Sequence, residues 1–290
     1  MNRRIVRLTG LLAAGAMALA VVGPVSAATP QKLTAVVATD NTGAPAAGQA
    51  GIRVLHASPD APAVDVYLDG AATPAITNLA FGEMAPALAT GGYIALPAGD
   101  HAVKVCATGS TTVCPIDVPV LTLVEGKKYT IAATNVLAKI SPPQVIEDTA
   151  TQAETTAQVR VYHFSADTPA VDILTTSGTK LAGPLAYPEA SGYLTPAAGT
   201  LEVKVCAAPA DTLCPLGPLS LTVADGTTYS VFAIGSLAAT LPAATAPATD
   251  VVSTTDTAPA SSNPAILLIV AAAGLAFVGG LRLATSRARR

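Results

Sequence analysis

Apolar and polar residues alternate along much of this chain with the period of two that a half-buried β-strand imposes. Ile52, Val54 and His56 alternate with Arg53, Leu55 and Ala57. The run Ser58-Pro59-Asp60-Ala61-Pro62 breaks the pattern as a turn, and Val64, Val66 and Leu68 then alternate with Asp65 and Tyr67. Asp69-Gly70 ends that strand. Weaker strand signals lie at 76–81 and 93–96, with Gly91-Gly92 between them and Pro97-Ala98-Gly99 after. Runs at 101–106, 118–124 and 129–135 complete a set of short strands separated by turn signals, the pattern of an all-β sandwich.

The pattern is written twice. Arg53, His56, Ser58, Asp60, Pro62, Val64 and Asp65 recur as Arg160, His163, Ser165, Asp167, Pro169, Val171 and Asp172. Further on, Tyr93, Cys106, Cys114, Gly126 and Tyr129 recur as Tyr193, Cys206, Cys214, Gly226 and Tyr229. The first set is displaced by 107 positions and the second by 100, so copy two lacks seven residues between its second strand and the Gly-Tyr element. Loops absorb such losses and packed strands do not, which predicts a variable loop and an edge strand over 71–90. The two modules fall at 51–140 and 158–240. Around them, 28–50 reads as a flexible lead-in, 141–157 as a polar linker, and 241–263 as a stalk rich in Ala, Thr, Pro and Ser.

Both ends of the chain have their own composition. Residues 1–27 carry Arg3, Arg4 and Arg7, then an apolar run, then Val25-Ser26-Ala27, which predicts a secretory signal peptide cut after Ala27. Residues 264–283 hold an uncharged apolar stretch that opens after Pro264, and arginines follow it through the tail 284–290. This predicts one C-terminal transmembrane helix with the tail in the cytoplasm and the modules outside. With Arg3, Arg4, Arg7, Arg282, Arg287, Arg289 and Arg290 set aside, 9 of the 16 basic residues remain against 19 acidic ones. That balance argues against nucleic acid as a partner.

Four cysteines admit three pairings. The identical spacing within each copy favours Cys106–Cys114 and Cys206–Cys214, each closing a loop between two strands, and export to an oxidising exterior agrees. A zinc site fits this spacing poorly without nearby histidines. Val124-Glu125-Gly126-Lys127-Lys128-Tyr129 and its counterpart ending at Tyr229 resemble the tyrosine corner of immunoglobulin and fibronectin type III sandwiches, where the hydroxyl bonds back to the backbone. Tyr129 and Tyr229 are therefore expected to be structural.

His56, Ser58 and Asp60 invite comparison with a catalytic triad. Along an extended strand, alternate residues lie about 6.5 Å apart, beyond the reach that a nucleophile and its base require. The expected role is structural: His56 and His163 at the rim of the core, with Ser58, Asp60, Ser165 and Asp167 bonding backbone N–H groups in the turns. Arg53 with Asp65, and Arg160 with Asp172, are expected to form cross-strand ion pairs on an outer face. A calcium site from Asp60, Asp65 and Asp69 is the alternative, but copy two keeps only two of these carboxylates. No catalytic, cofactor or metal residue is assigned. Among the few aromatics, Tyr67, Tyr162 and Phe164 are expected to face outward and mark a binding surface.

The stretch VLHASPDAPAVDVYLDG, with the later Gly-Tyr, Pro-Ala-Gly and Glu-Gly-x-x-Tyr elements, resembles the bacterial domain of unknown function 4397 family. The resemblance covers 51–140 and 158–240, with Ala166 and the seven-residue loss as departures in copy two. It implies an exported envelope protein with tandem sandwich-like modules, and it supplies no catalytic residues. The expectation is two tandem immunoglobulin-like or fibronectin-like antiparallel β-sandwiches carried by one C-terminal helix. The chain is then a non-enzymatic binding or adhesion module for an extracellular or envelope ligand. A purely structural spacer or envelope scaffold is the alternative, followed by a hydrolase using His56 or His163.

Overall fold

Valine, isoleucine and other β-branched residues recur in the alternating runs, and they form strands wherever a neighbouring edge receives them. The computed structural model describes residues 27–40, 43–86, 92–148 and 155–240. In chain order the strands are β1 (Thr34–Thr39), β2 (Gln49–His56), β3 (Val64–Leu68), β4 (Ile76–Leu79), β5 (Met84–Ala85), β6 (Ile94–Pro97), β7 (Gly99–Ala107), β8 (Ile116–Leu123) and β9 (Lys128–Ala133). A 3-10 turn (Leu137–Lys139) leads to β10 (Gln144–Glu147). Then follow β11 (Gln158–His163), β12 (Val171–Thr175), β13 (Lys180–Leu185), β14 (Gly199–Ala207), β15 (Leu216–Val223), β16 (Thr228–Ile234) and the one-turn helix α1 (Leu237–Thr240).

The fold is all-β, and each copy contributes two sheets. Copy one has β4-β3-β7-β8 and β10-β9-β2-β5, with β6 also on β2; copy two has β13-β12-β14-β15 and the sheet β1-β16-β11. The pairs β2–β9 and β11–β16 are parallel, and the other strand pairings are antiparallel. The purely antiparallel expectation therefore fails at one pair per copy. Parallel neighbours need a long crossover, and here the whole of each module supplies it.

The segments expected to be a flexible lead-in and a polar linker each hold a strand. β10, from the linker, adds antiparallel to β9 and completes the sheet of copy one. β1, from the lead-in, adds antiparallel to β16 and completes the sheet of copy two. The registers match: Glu147 lies opposite Tyr129 as Thr39 lies opposite Tyr229. The next residue in each case is an aspartate, whose N–H bonds to Lys128 O (Asp148) or Thr228 O (Asp40) at 2.8 and 2.9 Å. The repeating unit is thus a leading strand with an aspartate followed by a module, and the two leading strands are exchanged between the copies. Short segments such as TAVVAT carry too little periodicity to announce this; the open edge of a partner sheet makes them strands.

Three cores result. Ile52, Val54, Val64, Val66, Val103 and Ile131 are among those filling the first sandwich, and Val159, Val161, Val171, Ile173, Val205 and Val231 among those filling the second. A third cluster lies between the copies, with Ala38, Leu55, Ala57 and Ala132 packed with Tyr162, Phe164, Phe232 and Ile234. The copies accordingly belong to one compact unit rather than two beads on a linker. Among the described residues no helix is long and apolar enough to cross a membrane. Residues 1–26 of the leader, 41–42 of the lead-in, 87–90 of the 71–90 loop, 149–154 of the linker, the stalk, the 264–283 span and the tail lie outside the described residues.

Candidate functional site

Many of the residues written twice lie at the turn after each module's first strand or at the contact between the copies. At the turn, His56 Nε2 donates to the Pro62 carbonyl at 2.9 Å, and His163 Nε2 to that of Pro169 at 3.1 Å. A carbonyl only accepts, so each ring is held with its proton on Nε2. Burial lowers both histidine pKa values and favours the neutral ring. Ser58 Oγ turns to Asp60 at 3.5 Å, and Ser165 Oγ donates to Asp167 at 3.1 Å. Each aspartate reaches across the sandwich to the turn that follows the last strand. Asp60 accepts the Leu137 N–H at 2.6 Å, and Asp167 accepts the Ser236 hydroxyl and the Leu237 and Ala238 N–H groups at 2.7, 2.9 and 3.1 Å. The motif ties the first turn of each module to its last, and Tyr129 and Tyr229 act similarly, accepting the N–H groups of Val124 and Ala224 at 3.2 Å.

The expected Arg53–Asp65 and Arg160–Asp172 ion pairs do not form. β2 and β3 lie in opposite sheets, as do β11 and β12, so their side chains cannot meet across a strand pair. Asp65 accepts N–H groups of Asn78 and Gly109 at 2.8 and 2.9 Å, which pins the loop closed by the Cys106–Cys114 disulfide. Asp172 pairs with Lys180 at 2.6 Å, and the second disulfide joins Cys206 to Cys214. Asp69 pairs with His101 at 2.8 Å. Asp60, Asp65 and Asp69 are thus engaged separately, and no metal-holding cluster occurs among the described residues.

Arg53 is wholly buried, although alternation placed it outside, because the second face of β2 is covered by the other copy. Its Nη2 meets Asp40 Oδ1 at 2.6 Å and Asp148 Oδ2 at 3.3 Å, so one guanidinium joins the aspartates of both exchanged strands. Nε donates to Thr130 Oγ1 at 2.7 Å and Nη1 to Thr39 O at 3.1 Å. Asp148 also accepts the Tyr93 and Thr130 hydroxyls at 2.8 and 2.7 Å, and Asp40 accepts that of Ser230 at 2.7 Å. Lys128 Nζ donates to the Asp40 carbonyl. The Tyr93 ring lies under both cations, 4.8 Å from Arg53 and 5.0 Å from Lys128.

Burial, helped by the Asp40 charge and opposed by Arg53, pushes the Asp148 carboxyl up to about 6. A carboxyl raised on folding favours the folded state while it is protonated, and that contribution is lost as pH rises through about 6. Asp148→Asn is expected to flatten the stability-versus-pH curve between roughly pH 4 and 7, where a shift of this size represents about 3 kcal/mol. Chemical denaturation across that range checks it, and an unchanged slope in the variant would refute it.

Tyr162 and Phe164, expected to face a ligand, stack with Phe232 at 4.9 and 5.8 Å between ring centroids, inside the core between the copies. Copy one covers the face of β11 that its own sandwich leaves open. Tyr67 is half-buried and lines a groove of about 420 Å³ with Gly70, Lys104, Asp117 and Pro119 on the outer face of β3, β7 and β8. Lys104 and Asp117 pair there at 3.1 Å. No sequence signal marks the Arg53 network, since Asp40 and Asp148 lie in segments without strand periodicity; their common position before each module is visible only once the exchange is known.

A family model described as a domain of unknown function (DUF4397) matches residues 6–67, 50–174 and 157–275. Its three overlapping segments are consistent with repeated copies of the domain. No curated protein matches the sequence.

Proposed function

The chain belongs to the family of the domain of unknown function DUF4397, and on that premise we propose that it is a non-enzymatic binding module of the bacterial cell envelope. In this reading residues 1–27 export it, residues 264–283 anchor it, and two immunoglobulin-like modules are presented outside on the 241–263 stalk. The observation that carries the reading is the engagement of the repeated polar residues. His56, His163, Asp60 and Asp167 hold turns through backbone groups, while grooves beside Tyr67 and Arg160 stay open. A histidine whose Nε2 proton is fixed on a carbonyl is poorly placed to activate a hydroxyl. The bonds from Tyr129 and Tyr229 to the preceding backbone support the immunoglobulin-like assignment.

The core shared by the copies favours a second reading, a rigid envelope scaffold, because it fixes two modules as one body. An array of envelope glycans, peptides and matrix proteins, probed with the full-length chain in detergent, separates the two. Saturable retention of one ligand class is expected for a binding module. Retention of nothing above a denatured control would leave the scaffold and sink the binding reading.

A further inference from the structure

The geometry points to Arg160 as the anion contact of a ligand site in the groove between the two copies, one that takes a carboxylate carried on an apolar body. This deepens the binding reading above and rests on it.

Duplication provides an internal comparison. Arg53 and Arg160 hold the same position in their copies, and the Arg53 guanidinium is filled by two carboxylates from the exchanged strands. Arg160 has none among the described residues. Its Nε donates to the Ser191 carbonyl at 3.1 Å, and its guanidinium carbon lies 5.2 Å from the Tyr162 ring centroid and 5.6 Å from that of Tyr193. Aromatic contacts and one carbonyl orient the planar group, while its two terminal nitrogens find no acceptor among the described residues. A planar fork oriented in this way suits bidentate contact with a carboxylate.

The groove around it measures about 520 Å³ and runs along β10, with Ile146, Tyr162, Phe164, Pro188 and Ala190 among its walls. That volume lies in the range of small-molecule sites, and a guanidinium beside the apolar side chains of Ile146, Pro188 and Ala190 suits an amphipathic ligand. The other charged side chain of the groove among the described residues is Glu147, whose Oε1 is paired with Lys127 at 2.6 Å. A free organic acid and the C-terminus of an apolar peptide share this chemistry.

The test is calorimetric titration of the full-length chain in detergent with acetyl-Leu-Phe as the acid and as its amide, with 3-phenylpropionate, and with inorganic phosphate. Saturable binding of the peptide acid is expected, with the amide weaker by about tenfold or more, the worth of a charge-assisted contact. Tighter binding of the peptide acid than of 3-phenylpropionate assigns the site to peptide termini; the reverse assigns it to free acids. Arg160→Gln should lose binding by the same factor, and Arg160→Lys should lose part of it. Thermal unfolding of each variant separates lost binding from lost fold, and the lysine variant reads the site if the glutamine variant is unstable. No saturable binding of either carboxylate, equal binding of acid and amide, phosphate binding as tight as the acids, or full binding by a folded Arg160→Gln would each overturn the site. If the array finds a ligand that the folded Arg160→Gln variant still retains, the binding-module reading survives and this site alone falls.

Discussion

Replacing Arg53 with alanine is expected to lower the unfolding free energy near neutral pH by about 3–5 kcal/mol, the usual cost of removing one partner from a buried ion pair. Asp40 and Asp148 would remain in place, both buried, with hydroxyls as their nearest side-chain partners. Hydroxyl donors stabilise a carboxylate far less than a guanidinium does, so the two buried charges would repel each other. The loss should shrink as pH falls below about 6, because the stranded Asp148 then takes up a proton. Arg160→Ala is the control. That arginine has no carboxylate partner among the described residues, and its removal should cost no more than about 1 kcal/mol, the range of an ordinary polar substitution. Chemical denaturation of both variants at neutral and acidic pH decides the matter. Equal losses for the two arginines would mean that the network contributes nothing particular to the contact between the copies.

Removing the leading strand, residues 28–40, is expected to strip the second copy of its edge. β1 pairs with β16 from Thr34 opposite Ile234 to Thr39 opposite Tyr229, and Ala38 is fully buried in the core between the copies. The truncated chain loses that apolar burial together with the Asp40 carboxylate on Arg53, for a total on the order of 5 kcal/mol. It also exposes the β16 edge, and an open edge invites association. Two measurements check this: a lower unfolding midpoint, and a shift to larger species in size-exclusion chromatography with light scattering. A synthetic peptide of residues 28–40 added in trans should reverse both effects by refilling the edge. If the truncated chain unfolds at the wild-type midpoint and elutes unchanged, the exchanged strand is dispensable.

How much was legible varies by residue. The strands of each module follow the alternation closely: β3, with Val64, Val66 and Leu68 inside and Tyr67 half out, lies where the pattern puts it. The disulfides follow from spacing, and the bonds from Tyr129 and Tyr229 follow from a local turn motif. These features depend on near neighbours in the chain. Arg53, Tyr162 and Phe164 were misplaced for a single reason. Alternation reports which face of a strand meets its own core, but it is silent about a second body covering the opposite face.

By itself the sequence determined an all-β chain with two copies of one module, the cysteine pairs, and the turns that the twice-written motif holds. Each of these is set by period, spacing or short-range bonding, which a linear pattern records. Only the tertiary structure decided that β1 and β10 are exchanged, that one arginine holds the aspartates of both strands, and that Arg160 meets no carboxylate among the described residues where Arg53 meets two. Those outcomes turn on which strand edge and which sheet face each copy leaves uncovered. That is a property of two folded surfaces meeting, with partners 190 positions apart in the case of Asp40 and Ser230.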